Sequence, residues 1–212
     1  MLRFVSALLL LSASAFAPAY SVSIEQTVDS RDNLYYTDWG HWFTTAADNA
    51  LGNPDSNPAS SVAQNGTPFN FADFTTLSIN ASGSVIDHFG TATGPDGDTC
   101  TPNCLFNDGY FRKLPAYSLI GIWSSSATEI VPFGDWKDLT SGLGLLFIGS
   151  HLDLTIPSFP SAYLFLAEND GGFADNFGKY TVQLVASVPE PGSLALLVVG
   201  FAMLIVTRRR VK

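Results

Sequence analysis

Basic residues are scarce: ten lysines and arginines stand against nineteen aspartates and glutamates in 212 residues, a formal charge of −9. So acidic a chain repels phosphate backbones and anionic lipid, which argues against nucleic-acid recognition and suits cation binding. Histidine is rare as well, and the three present, His41, His88 and His151, are far apart. No Gly-x-Ser-x-Gly, no His-Glu-x-x-His and no phosphate-cradling glycine loop occurs, so the common nucleophile, zinc and nucleotide signatures are missing. Ser150-His151 with Asp153 lies on what reads as a strand pair, where neighbouring side chains face opposite ways. Paired carboxylates for glycoside hydrolysis stay open, because any two acids can meet in a fold. Nothing else points to an enzyme. Helical periodicity of useful length is lacking, and so are internal repeats.

Cysteine is limited to Cys100 and Cys104, which enclose Thr101-Pro102-Asn103. A metal site would need further Cys or His nearby, and there is none. In an oxidising compartment so close a pair most simply forms one small-loop disulfide.

The two ends of the chain agree with export. Met1 to Ala19 carries one early cation, Arg3, an apolar run through Leu8-Leu9-Leu10-Leu11, and small residues ending Ala17-Pro18-Ala19. That is the layout of a secretory signal peptide, with cleavage expected after Ala19. At the other end, Val188 to Lys212 runs from Pro189-Glu190-Pro191-Gly192-Ser193 through an uncharged apolar block to Arg208-Arg209-Arg210. The prolines bar an earlier helix start. A helix over residues 193–206 would be roughly 21 Å long against a hydrocarbon core of about 30 Å, a short transmembrane span with its arginines on the cytoplasmic side.

This order of Pro-Glu-Pro, short apolar helix and terminal arginine cluster resembles the PEP-CTERM sorting signal of Gram-negative bacteria. The resemblance implies that an exosortase, a membrane transpeptidase, recognises Pro189, Glu190 and Pro191 and cuts near them. The protein would be held in the inner membrane by its tail before processing and would afterwards reach the cell surface or the exterior. That family often accompanies exopolysaccharide production.

Between these ends, residues 20–187 suit one domain. Setting aside Arg3, Glu190 and the four C-terminal bases leaves eighteen acids against five bases, a charge of −13. The pattern is of short strands between Gly, Pro, Asn and Asp turns: Ser23 to Val28, Asn33 to Thr37, Thr75 to Ala81, Ser118 to Trp123, Gly144 to Ile148, Leu152 to Ile156, Ala162 to Ala167 and Lys179 to Val185. An all-β antiparallel β-sandwich is predicted. Ala50 to Thr67, rich in Asn, Ser, Pro and Ala, reads as a long exposed loop.

Between the last two strands lies Glu168-Asn169-Asp170-Gly171-Gly172-Phe173-Ala174-Asp175-Asn176-Phe177-Gly178. Its oxygen-bearing side chains and glycines fit calcium, which takes six to eight oxygens in flexible geometry. The spacing is not that of an EF-hand, and a turn whose Asp and Asn only satisfy backbone groups is an equal reading. Ala81-Ser82-Gly83, Gly94-Pro95-Asp96-Gly97-Asp98, Ser118 to Ile122 and the Asn169 to Val182 block come in an order that resembles the calcium-dependent galactose-binding bacterial lectin module, a β-sandwich, over roughly residues 74–185.

The resemblance implies calcium held by side-chain oxygens of Asp170, Asp175 and Asn176, a carbonyl of Gly172, and the carbonyl at Asp87. Asp175 stands where that family has Asn, the loop is two residues shorter, and the sugar-contacting His and Gln have no counterpart, so galactose specificity does not carry over. Asp96 and Asp98 read first as a turn and second as another acidic site. Tyr35, Tyr36, Trp39, Trp42 and Phe43 read first as core and edge aromatics and second as a sugar-stacking platform.

The sequence reading is therefore an exported, tail-sorted protein with a calcium-dependent carbohydrate-binding sandwich. Its alternative is a structural matrix protein in which calcium only stiffens the fold, and a polysaccharide hydrolase comes third.

Overall fold

Where β-branched and aromatic residues alternate with polar ones, the chain forms strands. The computed structural model describes residues 20–34, 57–86, 90–98, 114–135, 141–170, 173 and 175–188. The leader Met1 to Ala19, the aromatic run Tyr35 to Phe43, Asp87, the Cys100 to Cys104 loop, Gly172, the Pro189-Glu190-Pro191 motif and the apolar tail lie outside these residues. Among the described residues there are twelve strands: β1 (Tyr20–Asp29), β2 (Asp32–Asn33), β3 (Asn57–Pro58), β4 (Ala63–Gln64), β5 (Thr67–Pro68), β6 (Thr76–Ile86), β7 (Ala92–Thr93), β8 (Leu119–Ser124), β9 (Leu145–Phe147), β10 (His151–Thr155), β11 (Tyr163–Glu168) and β12 (Phe177–Val188). Among the described residues there is no helix, and hence none long and apolar enough to cross a membrane.

Two sheets carry the architecture. The larger runs β1-β12-β6-β10 with β7 added to β6, and the smaller runs β11-β8-β9. β6 pairs antiparallel with β10 and β7, and β8 pairs antiparallel with β11 and β9. Residues Val22–Ala186 form one compact unit.

Burial explains the pattern of each sheet. In the larger one, Val22, Ile24 and Val28 of β1, Leu77, Ile79 and Val85 of β6, and Tyr180, Val182, Leu184 and Ala186 of β12 are buried, while the residues between them are exposed or half-buried. Alternation of period two leaves that sheet one apolar and one wet face. β8 differs, because all six of its residues are buried. One of its faces packs Ile120 and Ile122 with Leu145, Phe165 and Ala167 under a cover of Leu34, Ala59, Leu114 and Ile130. Trp123, on the opposite face, meets Phe71 edge to face at 5.6 Å between ring centroids, a favoured aromatic geometry. Antiparallel pairing around such a core is the arrangement of a β-sandwich.

One expectation is corrected. Within Ala50 to Thr67, residues 57–67 are not an exposed loop: Val62 is fully buried and Ser61 bridges to Phe165. β4 and β5 close over Asn65-Gly66, both at positive φ (53° and 77°), the backbone of a type I′ hairpin. Val62 N–H donates to the Leu164 carbonyl at 2.8 Å, so polar composition was overridden by pairing with the core sheet.

Candidate functional site

β11 ends at Glu168, and strand alternation sends Glu168 and Asp170 to one side and Asn169 to the other. Asn169 is consumed structurally. Its side-chain amide donates to the carbonyls of Pro115 (2.8 Å) and Leu114 (3.4 Å). Its own N–H donates to Ser118 O, and its carbonyl accepts from Tyr117 N–H. This clamps the turn before β8 against the end of β11 and fixes where Asp170 emerges.

On the other side, Glu168, Asp170 and Asn176 are 2 %, 4 % and 2 % exposed. The Asn176 amide nitrogen donates to Asp170 Oδ2 at 2.5 Å, to Glu168 Oε2 at 3.2 Å and to the Ser30 carbonyl at 3.3 Å. Three oxygens from two separate segments, the end of β11 and the turn after β1, thus surround one point on the Asn176 amide. The turn after β1 is docked onto the loop by two further contacts: Ser30 N–H donates to Gly178 O, and Arg31 Nε donates to Asn176 O at 3.5 Å. Asn176 N–H closes the loop on Phe173 O at 3.2 Å.

The electrostatics follow from this crowding. Burial pushes the Glu168 carboxyl well above the ordinary range, the charge of Asp170 pushes it further, the Asn176 hydrogen bond opposes both, and Asp29 and Asp175 add smaller upward contributions. Glu168 Oε1 has no hydrogen-bond partner among the described residues. The Tyr180 hydroxyl is raised above its usual value by burial and then by Glu168.

Of the residues read from sequence as calcium ligands, Asp170 and Asn176 are brought into direct contact, and Asp175 sits half-buried on the same turn. Gly172 and Asp87 lie outside the described residues, as do Cys100, Cys104, Pro189, Glu190 and Pro191. Among the described residues no group of three or more His, Cys, Asp or Glu is placed to hold a metal ion. The set here is instead two carboxylates and a main-chain carbonyl, oxygen donors of the kind that suits a hard cation, gathered on the nitrogen of one amide.

Sequence reasoning missed Glu168 and Ser30. Glu168 carried a signal, since it directly continues an apolar strand that is buried on both faces. Ser30 carried none, because its contact with Asn176 spans 146 residues.

The other candidates resolve differently. Asp96 Oδ1 accepts Ser150 N–H at 2.7 Å, and Asp98 N–H donates to Ala116 O. The Gly94 to Asp98 turn thus tethers backbone. His151 and Asp153 share the exposed face of β10, with His151 Nε2 at 3.1 Å from Asp153 Oδ2 and Nδ1 at 2.8 Å from Asn80 Oδ1. Both ring nitrogens are therefore engaged on an open strand surface.

No protein-family model matches the chain, and no curated protein matches it.

Proposed function

We propose that this protein is an exported surface or extracellular-matrix protein whose β-sandwich holds calcium in the loop between β11 and β12. The observation that supports this most is the contact of Asp170 with Asn176 at 2.5 Å, inside a loop that also bears Asp175. Asp170, Asp175 and Asn176 would supply side-chain oxygens, with carbonyls of Gly172 and Asp87 completing the set. Calcium would neutralise carboxylates that otherwise repel one another and would lock the loop to the sandwich. The leader would direct export, Cys100 and Cys104 would pair outside the cell, and the tail with Pro189, Glu190 and Pro191 would be the exosortase substrate.

Carbohydrate binding follows from the lectin-like order of segments: a calcium ion at the loop surface would offer free coordination positions to sugar hydroxyls of an extracellular polysaccharide. A second reading is favoured by a specific observation. Glu168, Asp170 and Asn176 are nearly fully buried, which suits an ion that stiffens a matrix protein without touching sugar. No catalytic role is assigned in either reading.

The test is thermal unfolding of the full-length chain in detergent with millimolar calcium or chelator, on wild type and Asp170→Ala, followed by a glycan array under both conditions. A ligand bound only by the folded state raises its stability by mass action. Calcium should raise the melting temperature of wild type alone. Chelator-sensitive glycan retention would mark the lectin reading, and a melting shift without glycan retention would mark the structural one. Identical melting in calcium and chelator sinks the calcium site.

A further inference from the structure

We infer that Glu168 is an additional ligand of the loop cation, so that the site extends inward to the end of β11 and faces the turn after β1. The inference rests on the calcium reading of the loop, and it concerns a residue that neither the loop's spacing nor its lectin-like pattern assigns.

Three observations carry it. Glu168 is 2 % exposed, and its Oε1 has no hydrogen-bond partner among the described residues. A buried carboxylate oxygen left so is costly unless something compensates it. Protonation alone does not supply the compensation: a proton on Oε1 would itself need an acceptor, and one on Oε2 would still leave Oε1 without a donor among the described residues.

Two neighbouring donors are committed elsewhere. Asn169 spends its amide on Pro115 and Leu114, and Tyr180 has one hydroxyl hydrogen, directed at the Tyr117 carbonyl at 2.5 Å. Neither is free to turn to Glu168.

Direction is the third observation. Glu168 Oε2 and Asp170 Oδ2 converge on the same Asn176 amide nitrogen, at 3.2 and 2.5 Å, together with the Ser30 carbonyl at 3.3 Å. An amide nitrogen has two hydrogens for these three oxygens. A divalent cation satisfies such a convergence of oxygens better than a neutral amide does, and rotating the Asn176 amide by half a turn would present its Oδ1 to the ion as well. With Glu168 included, two carboxylates and the Ser30 carbonyl face the Asn176 amide, oxygen donors of the kind that suits a hard cation.

The experiment is calcium titration calorimetry on the full-length chain in detergent, with melting curves in chelator, for wild type, Glu168→Gln, Glu168→Asp and Asp170→Asn. Asp170→Asn should abolish calcium binding. Glu168→Gln should weaken affinity at least tenfold, yet melt above wild type in chelator, because the neutral amide relieves the buried carboxylate. These opposite signs separate a ligand from a packing residue, whose loss would lower the melting temperature in both conditions. Glu168→Asp, which keeps the charge but withdraws the oxygens by one methylene, should also bind more weakly, and it serves if the Gln variant does not fold. If the Glu168 variants bind calcium with wild-type affinity while Asp170→Asn does not, the role of Glu168 is overturned and the loop site stands. If wild type binds no calcium, both fall.

Discussion

The hydroxyl of Tyr180 donates to the main-chain carbonyl of Tyr117 at 2.5 Å, joining the centre of the larger sheet to the turn that precedes β8. Tyr117 is held at a positive φ of 62° and is 5 % exposed, so this donor serves a carbonyl on a buried residue. Tyr180→Phe keeps the ring and deletes the donor. A loss of about 1–3 kcal/mol is expected from the unpaired buried carbonyl, read as a lower urea midpoint at unchanged slope. An unchanged midpoint would mean the turn finds another donor.

Gly83 of β6 and Gly178 of β12 both sit at φ +98°. A methyl group on Gly83 would lie 2.5 Å from the Lys179 carbonyl oxygen, and one on Gly178 would collide with the Ser84 carbonyl. Gly66 also has positive φ, 77°, but open space around it. Alanine at Gly66 should cost about 1 kcal/mol from backbone conformation alone. Alanine at Gly83 or Gly178 adds a collision with main chain and should cost about 3 kcal/mol. Equal costs at Gly66 and Gly83 in chemical denaturation would contradict the close approach.

The Asp32 carboxyl is pushed up to about 6 from an ordinary 3.8, first by burial, against a hydrogen bond from Asp29 N–H, then by the charge of Asp29, against a hydrogen bond with Asn57. The folded chain therefore holds this proton more tightly than the unfolded one. Its contribution to stability is fully present below about 3.8 and is lost as pH rises through about 6. Asp32→Asn retains an acceptor for Asp29 N–H and cannot ionise. It should be more stable than wild type at pH 7, with the difference vanishing towards pH 3.5. A difference that does not change with pH would refute this.

Val62 is fully buried, and its N–H meets the Leu164 carbonyl at 2.8 Å. Val62→Ala should cost about 2 kcal/mol, in the range of buried aliphatic truncations. A residue in an exposed loop would change stability by less than about 0.5 kcal/mol, so one denaturation curve decides whether this segment belongs to the core.

That segment marks where sequence reading stops. Phe177–Val188 was legible because alternation along it is a direct imprint of one buried face, and Tyr163–Glu168 because a short run rich in apolar and aromatic residues marks a strand buried on both faces. Two-residue pairings such as β3, β4 and β5 leave no such imprint, and their burial is decided by which strand they land beside. The loop chemistry divides the same way. Asp170 and Asn176 were brought together by the lectin-like pattern of the loop, while spacing alone left a plain turn equally open. Glu168 was read as the first residue of the loop, whereas it is the buried end of β11, and the Ser30 carbonyl joins through the fold alone.

The position of β12 has a mechanical consequence. It lies between β1 and β6, hydrogen-bonded on both flanks, and its last residue, Val188, is followed directly by Pro189. Tension on the segment beyond Val188 therefore enters the body through an interior strand. Pulled along its length, such a strand loads two ladders of hydrogen bonds in shear, and many must fail together, whereas an edge strand would peel away one bond at a time.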